Sequence, residues 1–407
     1  MQLAPAQLAG RLALLALGAA ALVTGVLGGL GRLGLSVPAP LANATALHGA
    51  LMIGGFLGTV IGIERAVALG HRIGFVGPLA SGIGGLALVA GEVQAGAWLL
   101  VFASAVHVAV TTRLALRQVA QHTLMLIPAS AAWLVASLLF ALAISAEGAI
   151  AWGFDFLVFT IAAERLDMAR LVKRTAFAGP LLVAACGAVL VASAWIVVDP
   201  RAGGALYGGA LIALAAWFAV FDVARRTVRT HGLGQYAAAC ILGGYVWLAV
   251  AGVAWFGMAA LGWPTRDLAL HALGLGFVMS MIFGHAPIIA PAIARVKCAF
   301  GAWFYLAPVA LYASLLVRFV PGFDDAGARA WGGLLNVAAL LVFAATMARS
   351  IQVGFRIFPQ PKRPPPGYVH EHRGKTPQGP GLPPRAPTNE GPRNDLLRTF
   401  PNRQRPS

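Results

Sequence analysis

The chain has 407 residues, 59% of them hydrophobic and 11% charged, with a mean hydropathy of +0.78. Soluble domains carry about 25% charged residues, so the composition excludes a soluble globular protein and points to a polytopic membrane protein. The net charge of +16 is no nucleic-acid footprint, because it lies in short loops and in a C-terminal tail, where basic residues set membrane topology.

Taken in order, apolar runs separated by charged or Pro/Gly-rich breaks give twelve candidate spans. They lie near 11–31, 43–63, 73–91, 95–113, 121–144, 146–163, 176–198, 203–222, 235–260, 267–292, 300–320 and 327–349. The first run follows Arg11, is too long for a signal-peptide core, and has no convincing cleavage site after it. Loops after even-numbered spans carry thirteen basic residues, among them Arg65, Arg72, Arg170, Lys173, Arg174 and Arg295, against five after odd-numbered spans. This bias predicts even loops in the cytoplasm and both termini inside, in a bacterial inner membrane. The expected fold class is an all-α bundle of about twelve transmembrane helices over residues 1–355. Residues 356–407 are rich in Pro, Gly and Arg and are expected to form a disordered basic cytoplasmic tail. Cys186, Cys240 and Cys298 have no paired spacing and read as packing residues.

Histidines carry the chemical signal. An ionisable side chain in hydrocarbon is costly and usually faces the bundle interior, where it has a role. His271 and His285 lie in span ten; at about 100° per residue they fall roughly 40° apart on one helix face. At about 1.5 Å per residue they are separated by roughly 21 Å, too far to share a metal. Span two echoes span ten: Leu47-His48 stands at its head with Gly55-Phe56 following, as Leu270-His271 does with Gly276-Phe277. Both spans run from outside to inside, so His48 and His271 are expected at matching depth near the outer face. His107, His122 and His285 fall toward the cytoplasmic side, and His71 and His231 in loops.

Imidazole is the usual axial ligand of haem iron. Two histidines at equal depth on two helices suit a bis-histidine haem, with Gly49, Ala50, Gly54, Gly55, Gly274 and Gly276 leaving room for a flat macrocycle. The plainer alternative is a buried histidine bonded to a backbone carbonyl. His285, ahead of Ala286-Pro287, is either a second haem or metal ligand, with His107 or His122, or an interfacial side chain. Met52, Met125, Met279 and Met281 are thioether candidates for copper, and more ordinarily packing residues. Asp155, deep in span six, is either a proton-relay group or a partner for a nearby polar group. His370-Glu371-His372 in the tail resembles a metal-binding fragment but has no second cluster nearby to complete a site. A second echo, Glu64-Arg65 in span two and Glu164-Arg165 one hundred residues on, suggests three four-helix units built around spans two, six and ten.

Twelve spans with histidines near the outer ends of spans two and ten resemble subunit I of the haem–copper oxidases, whose corresponding spans bind a low-spin haem. The local sequence is similar to the NnrS family, membrane haem- and copper-containing proteins linked to the nitric oxide response. His48, Met52, Gly55 and Phe56 keep that family's early spacing, with Leu51 in place of a glutamate and Ala50 in place of a second histidine. His271-Ala272-Leu273 and Gly284-His285 match its late span, and Pro287 departs from it. The resemblance implies a b-type haem, with copper as a further candidate, and other respiratory-chain subunits as partners beside membrane lipid. Spans six and seven contain no histidine, where the oxidases supply copper ligands, so oxidase activity does not carry over. Two other functions fit the span count: a secondary transporter, with Pro128, Pro287 and Pro291 as helix breaks, and a non-catalytic subunit of a respiratory complex.

Overall fold

The computed structural model describes residues 5–168, 176–294 and 296–357. The described residues are all-α: 88% of them are helical and none lies in a strand. Among the described residues twelve helices are long and apolar enough to cross a bilayer, which needs about 20 residues at 1.5 Å each. They are α1 (Gln7–Arg32), α2 (Ala39–Leu69), α3 (Arg72–Val89), α4 (Val93–Arg117), α5 (Gln121–Ala141), α6 (Ala146–Met168), α7 (Ala178–Val198), α8 (Pro200–Phe221), α9 (Leu233–Leu261), α10 (Arg266–Pro291), α11 (Ala302–Phe319) and α12 (Ala326–Phe355). Each overlaps one expected span, with ends shifted by a few residues. The tail expected from residue 356, with its His370-Glu371-His372 fragment, lies almost wholly outside the described residues, as do Arg170, Lys173, Arg174 and Arg295. Helix α12's last turn continues to Ile357.

Local chemistry sets the boundaries. Asp199 caps α8, its carboxylate accepting from the amides of Arg201 and Ala202 at 2.9 and 3.1 Å, with Pro200 at the first helical position. Gly70 and Gly262 end α2 and α9 in the left-handed region, at φ +72° and +71°, which a side chain resists.

Sequential helices pack as antiparallel neighbours. The centre belongs to α6: 72% of its apolar stretch is buried, against 28% for α1 and 22% for α12. Phe154, Phe156 and Phe159 of α6 pack among Trp133, Tyr207 and Trp255 in the main core. Gly153 of α6 faces Ile53 of α2, and Phe154 meets Gly274 of α10. Helix α6 thus touches both histidine-bearing helices. The Glu-Arg echo is also a contact: Arg65 of α2 donates to Glu164 of α6 at 3.0 Å.

Candidate functional site

The two echoing spans share a backbone feature that hydropathy cannot show. Helix α2 widens into a π-helix over Leu51–Gly58, and α10 does the same over Ala272–Met279, eight residues each. Such segments are rare and cluster at functional sites. In both, the Gly-Phe pair occupies the fifth and sixth positions. In both, the next α-helical residue carries a hydroxyl that bonds the glycine carbonyl four residues back. Thr59 Oγ1 donates to Gly55 O at 2.7 Å, and Ser280 Oγ to Gly276 O at 2.5 Å. Sequence reasoning missed Thr59 and Ser280, although their equal spacing from Gly-Phe was visible. The π segment also corrects the helical-wheel argument for His271 and His285: eight of the intervening residues each turn less than an α-helical residue, so the two do not share the face that 100° steps imply.

The structure brings His48 and His271 together across the bundle. Their ring centroids are 6.0 Å apart and their planes 21° from parallel. Each ring is held through Nδ1. His48 Nδ1 lies 2.6 Å from Gly25 O on α1. His271 Nδ1 lies 3.0 Å from Asp267 O and 2.9 Å from Asp267 Oδ1. The three shortest of these contacts are to acceptors, against one longer approach of a donor, Arg318 Nη2 at 3.5 Å from His271 Nδ1. The shorter contacts assign the proton to Nδ1 in both rings and leave the basic Nε2 nitrogens to act as ligands. The Asp267 carboxylate is itself fixed: Arg318 donates from Nε to Oδ2 at 2.9 Å and from Nη2 to Oδ1 at 2.7 Å. Arg318 Nη1 then bonds Asn336 Oδ1 at 3.1 Å, and Asn336 bonds Ser314 at 2.6 Å. A carboxylate behind a histidine, itself anchored, is the usual support of a metal-binding imidazole.

A family described as a domain of unknown function (DUF8744) matches residues 11–352, which is nearly the whole helical bundle. The chain belongs to that family. No curated protein and no solved structure matches it.

Within this DUF8744 bundle the separation of the two rings meets one requirement of a bis-imidazole metal site. Two imidazoles bound end-on to one metal at about 2.0–2.1 Å per bond have ring centroids roughly 6 Å apart, the separation found here. Of the small residues expected to make room, Gly49 has open space beyond it and Gly274 meets only the edge of Phe154 at 3.7 Å. Gly54, Gly55 and Gly276 instead admit Leu100, Ala21 and Trp247, so they serve helix packing. An unexpected cradle residue is Gly29 of α1, where a Cβ would stand 2.9 Å from the His48 ring.

The remaining candidate histidines stand elsewhere. His107 is buried and packs edge-on against both Trp133 and Phe156, with centroids at 5.4 and 5.6 Å, while those two rings stack on each other. His122 Nε2 lies 3.5 Å from Asp167. His285 is 8% exposed; its Nδ1 is 2.8 Å from Met281 O, and its buried Nε2 has no hydrogen-bond partner. In the register of the two π segments, in which Leu51 corresponds to Ala272, His285 takes the place of Glu64. Among the described residues no three His, Cys, Asp or Glu side chains are close enough to share a metal. Met279 and Met281 are buried packing residues. Asp155 is fully buried in α6; Tyr207 donates to its Oδ1 at 3.0 Å, while Oδ2 has no partner.

Proposed function

We propose that this chain is a haem-binding integral membrane protein of NnrS-like and oxidase-subunit-I-like build, with His48 and His271 as the axial ligands of a b-type haem. The observation that carries this reading is the ring pair, 6.0 Å apart, with both Nδ1 nitrogens engaged. Haem supplies one-electron chemistry when bound. The chain's own part is to orient two imidazoles, hold their protons on Nδ1 against Gly25 and Asp267, and keep the site within apolar helices. The role is electron transfer or nitric oxide handling in a bacterial inner membrane, with both termini inside and respiratory-chain subunits as partners. The unpartnered Nε2 of His285 is the candidate nitrogen ligand for copper. No oxygen-reducing centre is proposed, since α6 and α7 contain no histidine.

The test is an optical spectrum of the purified protein, oxidised and dithionite-reduced, with a pyridine haemochrome assay. A low-spin b-type spectrum that disappears in His48→Ala and in His271→Ala is expected. A colourless protein from haem-sufficient cells, or full haem retention in both variants, rejects the reading.

One observation favours a second reading, an ion-coupled transporter. Asp155 is a carboxyl buried in the central helix with one oxygen unpartnered, as a coupling group would be. Proton- or ion-coupled uptake by haem-free protein in vesicles would establish it.

A further inference from the structure

Helices α8 and α9 leave a groove of about 700 Å³ on the bundle's surface. Its α8 wall is Ile212, Ala215, Ala216 and Ala219, and its α9 wall includes Leu242 and Val253. The groove exists because alanines recur at three- and four-residue spacing on α8, so that one face of that helix is shaved back. Ala216 and Ala219 are exposed. From Leu242 to Ala254 on α9 the groove runs roughly 18 Å at 1.5 Å per residue, close to the hydrocarbon depth of one leaflet, about 15 Å. One end is stopped by the chain after α9. Trp263 packs against Gly257, and Thr265 Oγ1 donates to Ala254 O at 2.8 Å.

The other end meets positive charge. Two residues past Ala219, α8 stops at Phe221, and the chain turns into Ala224–Thr227. Arg225, Arg226 and Arg229 are all exposed there. Arg225 Nη1 donates to the carbonyl of Val220, the residue after Ala219, at 2.9 Å, which places its guanidinium at the groove mouth. Arg226 and Arg229 have no carboxylate partner among the described residues, and the nearby Asp222 is already held by Arg165 at 2.8 and 3.0 Å.

The geometry points to a specific site for an anionic phospholipid, with one acyl chain in the α8–α9 groove and its phosphate against Arg225, Arg226 and Arg229. The length suits one leaflet's acyl chain, the apolar walls suit hydrocarbon, and three uncompensated arginines at one end select negative charge. This inference does not depend on haem binding.

The test is native mass spectrometry of the full chain in detergent, titrated with phosphatidylglycerol or with phosphatidylcholine of the same acyl chains. Phosphatidylglycerol is expected to bind roughly 30- to 150-fold more tightly, the size of effect that two or three interfacial arginines give. R225Q/R226Q/R229Q, at exposed positions, should bring it down to the phosphatidylcholine level. A216F/A219F, which fills the groove from its exposed side, should weaken both lipids. Equal binding of the two lipids, or a phosphatidylglycerol preference that survives the arginine variant, overturns the proposal. Displacement of phosphatidylglycerol by decylubiquinone at lower concentration also overturns it, by assigning the groove to a neutral lipophile.

Discussion

Arg318 grips Asp267 with two hydrogen bonds, Nε to Oδ2 at 2.9 Å and Nη2 to Oδ1 at 2.7 Å, and Asp267 in turn holds His271. The carboxylate makes the imidazole a stronger donor to a metal, and the guanidinium keeps the carboxylate in place. Losing such a support costs about 10–100-fold in metal affinity. Asp267→Asn is therefore expected to weaken haem retention by that factor, with some loss of thermal stability as well, because it leaves the buried Arg318 guanidinium without its carboxylate. It should also raise the reduction potential, because a less basic imidazole stabilises the ferric state less. Haem titration of apoprotein and redox potentiometry check both.

Gly29 and Gly49 make a paired test of the cradle. A Cβ at Gly29 would stand 2.9 Å from the His48 ring, whereas at Gly49 it would meet nothing within 4 Å. Gly29→Val is expected to push the ring off its position against Gly25 and abolish the low-spin spectrum. Gly49→Ala, a smaller change into open space, is expected to keep it and to favour the helix slightly. Spectra of the two variants, at matched expression and monodispersity, decide the point.

How far these relations could be read beforehand depends on the kind of signal each leaves. The twelve helices were legible because apolar length is a one-dimensional property of the chain. The facing of His48 and His271 was legible only as shared depth, read from Leu-His and Gly-Phe echoes. That echo is partly an accident of register: aligned on the π segments, His48 corresponds to Ala269 and not to His271. The π segments themselves were not legible, since an eight-residue change of pitch leaves apolar composition unchanged. Nor could sequence show Arg318 behind Asp267, fifty-one residues away, or Gly29 beneath His48. Those contacts come from helix packing, for which short-range periodicity carries no information.

Asp155 and Tyr207 form a buried polar pair in the central core, 3.0 Å apart. Tyr207→Phe removes the donor and leaves Asp155 without it, and stranding a buried polar group costs about 1–3 kcal/mol. The variant is expected to lose stability by that amount, while Asp155→Asn, of nearly the same size and still an acceptor, should lose less. Thermal unfolding in one detergent, followed by circular dichroism, gives the comparison. A Tyr207→Phe protein as stable as the parent would show that the Asp155 carboxyl finds another donor.

Arg165 and Asp222 make the most enclosed ion pair among the described residues, their side chains 3% and 1% exposed. Nε and Nη2 of the arginine meet Oδ2 and Oδ1 at 3.0 and 2.8 Å, and Asp222 Oδ1 also accepts from the Ala224 amide at 2.6 Å. The pair thus ties α6 to the turn after α8. Removing one partner leaves the other charge buried and unpaired, which costs about 3–5 kcal/mol, whereas replacing both with apolar groups is often close to neutral. Asp222→Ala is expected to show the large loss in thermal unfolding. Arg165→Met with Asp222→Leu should recover most of it, short of the contribution of the lost Ala224 bond. A double variant no more stable than Asp222→Ala would mean that the carboxylate's bond to the turn, and not its pairing with Arg165, is what holds this end of the bundle.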